Sequence, residues 1–506
     1  MSGGVERYGL FELTVSSRSA RPRAWFWQEG DRREITGFIV GPGKAAVRFM
    51  PDKEGTWRYT VEADGGEVSG EFQCVPSTGR NHGPVRTSGM HFRYADGTGF
   101  IPMGTTCYAW AHQDGRLMEQ TLETLRNAPF NKVRMCVFPK STQFNANDPE
   151  HFPFERIGSG GWDVDKPDQA FWSNLESRVA QLGELGIEAD LILFHPYDRW
   201  GFSSLSREEN LSYIDYCVRR LSAYRNVWWS MANEYDLVFT KNLEEWDALG
   251  EAVHNGDPYG HLISVHNWLE PYPKRPWLTH VSWQGGDMQT AFKLRTRYGL
   301  PVIVDELGYE GDIEFDWGNL SAFEVVDRMW AAAAFGCYST HGETFYNEDE
   351  VLWWSKGGRL YGEAPKRIAF LREFMNSLPG PMEPLCAGVL DDPSSMAANP
   401  QHAELVRSIW DSKPQDIRDI FINEFIKPIG VHRDYMLIYL RRHCQSYYWL
   451  DLPQEGTYDV ELLDVWEMRR EKLVENAHSR VRVPLPGKEG VGIYVARKSG
   501  KELTAK

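Results

Sequence analysis

The chain has 506 residues, 42% hydrophobic and 25% charged. That is the balance of a folded protein with more than one domain, and it excludes disordered, collagen-like and fibrous classes. A formal net charge of −16, with no basic stripe to offset it, repels a phosphate backbone and excludes nucleic acid as a partner. Residues 1–80 begin the chain as short alternating runs broken by Gly and Pro, among them FELTVSS, AWFWQ, EITGFIV and TWRYTVEA, the pattern of an N-terminal immunoglobulin-like β-sandwich. Trp25, Trp27 and Trp57 are expected in its core. A Gly/Pro/Ser-rich linker over 76–89 follows. Over 90–385 strand-like and helix-like segments alternate. The strands are read at 100–108, 131–139, 187–197, 227–235, 262–268, 280–285, 301–309 and 337–345, with amphipathic segments between most of them and a last helix, PKRIAFLREFMNSL. Eight such repeats predict an α/β fold, a (β/α)8 TIM barrel. The competing doubly wound sheet would place a Gly-rich phosphate loop after its first strand, and PMGTTCYAW is not one. From 400 to 506 alternation returns as a C-terminal β-sandwich, with Trp466 expected in its core. The expected architecture is a barrel flanked by N-terminal and C-terminal β-sandwich domains.

The seven cysteines are scattered and form no CxxC, so neither a disulfide framework nor a Cys-based zinc site is expected. The first residues lack the basic-then-apolar pattern of a leader, and no apolar run reaches the ~20 residues of a bilayer span. A cytoplasmic protein without a membrane partner is the resulting expectation. The 20 Trp, 22 Tyr and 25 Phe suit both cores and binding walls.

A barrel places its active site where the strands end and the βα loops converge. The polar residues ending these strands are Thr105 and Thr106, Arg134, His195, Asn233 and Glu234, His266 and Asn267, Trp283 and Gln284, Asp305 and Glu306, and His341 and Glu343. Glu234 ends the apolar run VWWSMAN and Glu306 ends PVIVD, so strands four and seven aim two carboxyls at one centre. Hydrolysis of a glycosidic bond needs such a pair, one to protonate the leaving oxygen and one at the anomeric carbon. Burial among Trp228, Trp229 and Tyr235 is expected to keep Glu234 protonated, and Arg134 to keep Glu306 ionised. A metal-dependent barrel hydrolase would show an HxH after the first strand, which GTTCYAW lacks. No metal and no cofactor is expected.

Asn233-Glu234, Glu306 and the NKVR containing Arg134 resemble glycoside hydrolase clan A, retaining enzymes on a (β/α)8 barrel such as the family 5 glycosidases. The resemblance covers roughly residues 90–380. It implies Glu234 as acid/base, Glu306 as nucleophile, Asn233 on the sugar 2-hydroxyl, Arg134 orienting the nucleophile, and His195 and His266 as substrate-binding histidines. More narrowly, TGFIVGPGKAAVRFMPDKEGTWRY and THGETF resemble little-characterised bacterial multi-domain glycosidases with an N-terminal β-domain of unknown function. Two positions depart from the clan pattern. Trp283-Gln284 stands where many members have a Tyr, and His341-Gly342-Glu343 where family 5 enzymes usually have a Trp. Glu343 is thus a third carboxylate for the site, and Trp283, Trp353 and Trp354 are candidate sugar platforms. The implied activity is retaining cleavage of a β-glycosidic or α-L-arabino-configured bond in an oligosaccharide or small glycoside. The alternative of another class is a catalytically decayed carbohydrate-binding barrel. The β-sandwiches are candidates for sugar binding, bracing, or a homo-oligomer interface.

Overall fold

The computed structural model describes residues 4–158, 160–385, 397, 399–418 and 427–503. Near the N-terminus, five strands form one sheet and the strands Phe11–Ser16, Phe38–Gly41 and Lys44–Phe49 form another. A shared cluster that includes Val15, Phe26, Val47, Phe49 and Trp57 joins them, with the Phe26 and Phe49 rings stacked at 4.2 Å. Trp57 is core, as expected, but Trp25 and Trp27 are only partly buried. On the strand Arg23–Gln28 the inward positions are Ala24 and Phe26, so period-2 alternation turns both tryptophans to the other face. There the guanidiniums of Arg23 and Arg32 lie over Trp25. The expected linker ends sooner than read. Val85–Ser88 pairs with His91–Tyr94, which pairs with Gly99–Phe100. Phe92 and Phe100 of this meander meet Trp228, Ile303 and Tyr338 of the barrel in one buried cluster.

The barrel strands are β1 (Met103–Thr106), β2 (Lys132–Cys136), β3 (Glu188–Phe194), β4 (Val227–Ala232), β5 (Ile263–Ser264), β6 (Val281–Gln284), β7 (Val302–Glu306) and β8 (Tyr338–His341). All neighbours are parallel, in the order 5-4-3-2-1-8-7-6. A single bridge between His266 and Ser282 spans the remaining gap, so the barrel is nearly closed. Around it lie α1 (Gly115–Asn127), α2 (Gln169–Leu185), α3 (Arg207–Leu221), α4 (Leu243–Gly256), α5 (Met288–Tyr298), α6 (Ala322–Ala334) and α7 (Ala364–Asn376). The sequence writes their limits. Asp168 caps α2 and Gly186 ends it in the left-handed region, while Ser206 and Glu209 form a reciprocal capping box on α3. No helix lies between β5 and β6. The segment between β2 and α2 holds an unforeseen hairpin, Phe154–Ile157 with Gly161–Pro167.

Alternation along each strand sorts the barrel. On β2 and β3, Val133, Met135, Ala189, Leu191 and Leu193 join the large cluster shared with the helices. Lys132 and Asp190 face the interior instead. Lys132 Nζ lies 2.8 Å from Asp190 and 2.7 Å from Asp305. Asp305 also accepts from Ser282 Oγ at 2.6 Å and Thr340 Oγ1 at 2.7 Å. This polar layer links β2, β3, β6, β7 and β8 directly beneath the mouth.

Towards the C-terminus a six-stranded sheet is accompanied by the pair Tyr447–Asp451 and Arg480–Pro484. Tyr439 and Tyr494 contact Trp330 of α6 and Phe374 of α7, while Leu450, Tyr458, Val483 and Ile493 form a separate cluster. Residues Pro400–Asp411, read as the start of this β-region, are helical. Trp466, expected in a sandwich core, is only partly buried, with the Arg367 guanidinium of α7 3.4 Å from its ring. Among the described residues no helix is long and apolar enough to cross a membrane.

Candidate active site

At the C-terminal ends of the strands a cavity of about 620 Å³ is lined by Tyr108, Lys140, Tyr197, Asn233, Glu234, Trp268, Gln284, Glu306, Trp317 and Trp354, among others. Local backbone geometry aims the two acids. In β7, Trp283 pairs with Val304 and Gln284 with Glu306, leaving Asp305 as the extra residue of a bulge. A bulge lets consecutive residues serve one side of a strand, and Arg134 indeed meets both. Its Nε is 3.9 Å from Asp305 and its Nη1 3.3 Å from Glu306 Oε1. Glu234 follows β4 with φ 53°, an uncommon conformation for a non-glycine residue. Its N–H donates to His266 Nδ1 at 3.3 Å.

Each carboxyl has its own tyrosine. The Tyr108 hydroxyl is shared between Glu306 Oε1 and Asn233 Oδ1, the latter at 2.7 Å. Arg134 Nη2 donates to the same Asn233 oxygen at 3.2 Å. Tyr197 donates to Glu234 Oε2, which also accepts from Asn233 Nδ2 at 3.0 Å. The surrounding acceptors orient the Gln284 amide, whose nitrogen then donates to Glu234 Oε1 at 3.2 Å and Asn267 O at 2.9 Å. Because His266 Nδ1 is an acceptor, the proton of the neutral ring sits on Nε2, 3.8 Å from Glu306 Oε1.

Environment drives the two acids apart. Burial and the nearby Glu306 charge push Glu234 up to about 7, against the opposing pull of Lys140, Tyr197 and Gln284. Burial also opposes ionisation of Glu306, but His266, the guanidinium of Arg134, the Lys140 ammonium and the Tyr108 hydroxyl outweigh it. Together they hold Glu306 below the usual carboxylate range. Burial and the Arg134 charge lower His266 to about 3, so its ring is neutral near pH 7. A carboxyl that keeps its proton until near pH 7, beside one of far lower proton affinity, can supply an acid and a carboxylate to the same substrate.

Of the sequence candidates, Arg134, Asn233, Glu234, His266 and Glu306 meet in this one network, and Trp354 lines the cavity. The others stand elsewhere. His195 Nε2 faces Phe138 O at 3.2 Å, Trp283 packs against the main core, and Trp353 is fully buried with Nε1 on Thr105 Oγ1 at 2.8 Å. Glu343 accepts from the Tyr361 and Gly362 N–H groups, the latter at 2.9 Å, and does not line the cavity. Glu310 accepts in the same way from Glu363 and Ala364, at 2.7 and 2.9 Å. Among the described residues Glu310, His341 and Glu343 bring three ligand atoms within 4.8 Å of one another. All four carboxylate oxygens of that group already accept backbone hydrogen bonds. Sequence reading missed Tyr108, Lys140 and Tyr197. Each lies two to four residues past a strand end (β1, β2 and β3), so reading the loops one turn further would have found them.

An α/β barrel with two opposed carboxyls of unequal acidity at its C-terminal mouth belongs to the glycoside-hydrolase type of enzyme. The family model described as "Apiosidase-like, catalytic domain" matches residues 86–379, and the chain belongs to that family. Two domains of unknown function, DUF5060 and DUF5605, match residues 4–64 and 426–496. A candidate glycoside hydrolase from Bacteroides vulgatus is 33% identical, with 97% of this chain and 99% of that chain covered and a TM-score of 0.85. A glycoside hydrolase family 5 structure from the same organism shares the fold at 14% identity, covering 84% of this chain and 97% of that one, with a TM-score of 0.58. No curated protein matches the chain.

Proposed function

We propose that the protein is a retaining glycosidase. Glu306 attacks the anomeric carbon while Glu234 gives its proton to the departing glycosidic oxygen, leaving a covalent glycosyl–Glu306 ester. Glu234, now a carboxylate, takes a proton from water as that water attacks the anomeric carbon and releases Glu306. The observation that carries this reading is the separate tether of each acid, Tyr197 on Glu234 and Tyr108 with Arg134 on Glu306, around one cavity. Asn233, hydrogen-bonded to both sets, is placed to meet the sugar 2-hydroxyl. The bond cleaved is a β-glycosidic or α-L-arabino-configured one of an oligosaccharide or small glycoside. The chain is divided as 1–80, 90–385 and 400–506, with β-sandwiches at both ends of the barrel domain and the helix Pro400–Asp411 leading into the last. A 2-deoxy-2-fluoro aryl glycoside of a cleaved sugar is expected to inactivate the enzyme with a mass increase on the peptide containing Glu306. Glu306→Gln and Glu234→Gln are each expected to lose at least ~10³-fold in kcat, in line with loss of a covalent or acid–base group. An adduct on another residue, or none with a sugar the enzyme turns over, would refute the retaining mechanism.

A further inference from the structure

We infer that the sugar taken by this cavity bears a carboxylate, a hexuronic acid, and that Lys140 is the residue that recognises it. The inference rests on the glycosidase reading above. Lys140 follows β2 and is only 3% exposed, yet it belongs to the cavity wall. Its Nζ lies 3.3 Å from the centroid of the Tyr108 ring, 4.3 Å from that of Tyr197 and 5.6 Å from that of Trp354. These ring faces stabilise a cation but accept no conventional hydrogen bond. Among the described residues no oxygen hydrogen-bonds or ion-pairs with this ammonium.

The other cations of the site differ in this respect. Arg134 is bound to Glu306, Asn233 and Tyr108, and Arg328, also on the wall, is bound to Glu324 and Leu307 O. The carboxyls nearest Lys140 are Glu234 and Glu306, and each is already engaged by its own tyrosine. Asp316, the other acid on the wall, makes no ion pair with Lys140. A buried ammonium with three unused donors is costly unless an acceptor reaches it. A bound carboxylate supplies that acceptor with a formal charge, which a hydroxyl does not. Trp268, Trp317 and Trp354 on the same wall offer faces for the apolar side of the ring. Lys140 would thus select the sugar, while Glu234 and Glu306 act on its anomeric carbon.

The test compares the 4-nitrophenyl β-D-glucuronide and β-D-galacturonide with the matching glucoside and galactoside, using the full-length protein. A site that hydrogen-bonds a charged substrate group rejects the analogue lacking it by large factors, so kcat/KM is expected to favour a uronide at least about 100-fold over its neutral partner. Lys140→Met is expected to collapse that ratio to within about tenfold of one. Free hexuronic acids are expected to inhibit the wild-type enzyme more strongly than the neutral hexoses, a comparison that needs no variant. Turnover confined to neutral glycosides, or faster on them, overturns the inference and leaves the glycosidase reading standing. A uronide preference unchanged in a folded Lys140→Met protein removes Lys140 from the role. No turnover of any glycoside, the α-L-arabinoside included, overturns both readings.

Discussion

Glu234 and Glu306 are the same amino acid given different chemistry by their neighbours. Glu234, raised to about 7, is protonated below that pH and loses its proton above it, so an acid role disappears on the alkaline side. Glu306, held below the usual carboxylate range, loses its ionised form only at pH values below that range. The kcat/KM profile is therefore expected to be a bell with its alkaline limb near pH 7 and its acid limb below the usual carboxylate range. Tyr197 stabilises the ionised form of Glu234. In Tyr197→Phe the pKa rises further and the alkaline limb moves to higher pH, by about one unit for a charge-assisted hydrogen bond of ~1.5 kcal/mol. A limb that stays put or moves down in the variant would contradict the assignment of that limb to Glu234. Both acids were legible in the sequence because each ends an apolar strand. Their tyrosines were not, because a loop residue's partner is set by how the loop folds back over the mouth.

At the scale of elements, the positions past β8 show where strand-end reasoning misleads. Glu343 stands two residues beyond His341, where it reads as a site carboxylate. Its backbone instead pairs with Glu310, and Gly342 allows the Tyr309 ring so close that a Cβ there would come within 2.1 Å of it. The carboxylates of Glu343 and Glu310 hold the N–H groups of residues 361–364, the approach to α7. Glu343→Gln turns one of those acceptors into an amide NH2 facing a backbone donor. It is expected to lower unfolding stability by about 1–3 kcal/mol, seen as a shifted midpoint in a denaturant titration. An unshifted midpoint would show that this tie does not hold the segment. The eight strands and seven helices were legible from hydrophobic period alone. The hairpin after β2 was not, because its pairing depends on contacts within a long βα loop and its alternation is short.

For the whole molecule, buried titratable groups set the pH of greatest stability. His112, His195, His261, His266, His280 and His341 are all lowered from 6.5 by burial. The unfolded chain takes up protons there that the native chain refuses, so stability falls as pH drops below 6.5. Glu188 is raised by burial to about 8, and Glu234 and Glu343 to about 7. The native state keeps those protons after the unfolded chain has released them around 4.5, so their contribution declines from there and is spent once pH reaches 7 to 8. The Tm is expected to peak between about pH 6 and 7 and to fall on both sides. Scanning calorimetry from pH 5 to 9 checks this, and a Tm that climbs steadily from pH 6 to 8.5 would refute it.

The sequence by itself determined the barrel, its strand and helix order, the β-rich ends and the two acids, because period and strand-end polarity are local properties of a chain. It also pointed to Arg134 and Asn233 as their companions, Arg134 within β2 and Asn233 directly after the apolar run of β4. Only the tertiary structure decided that Trp25 and Trp27 face away from the N-terminal core, that Glu343 and Glu310 together tie down the 361–364 segment, and that Tyr108, Lys140 and Tyr197 line the cavity. Those outcomes depend on the register between strands and on how loops separated by scores of residues pack against one another. No window of sequence contains that information, because the contacts that settle it are made across the barrel rather than along the chain.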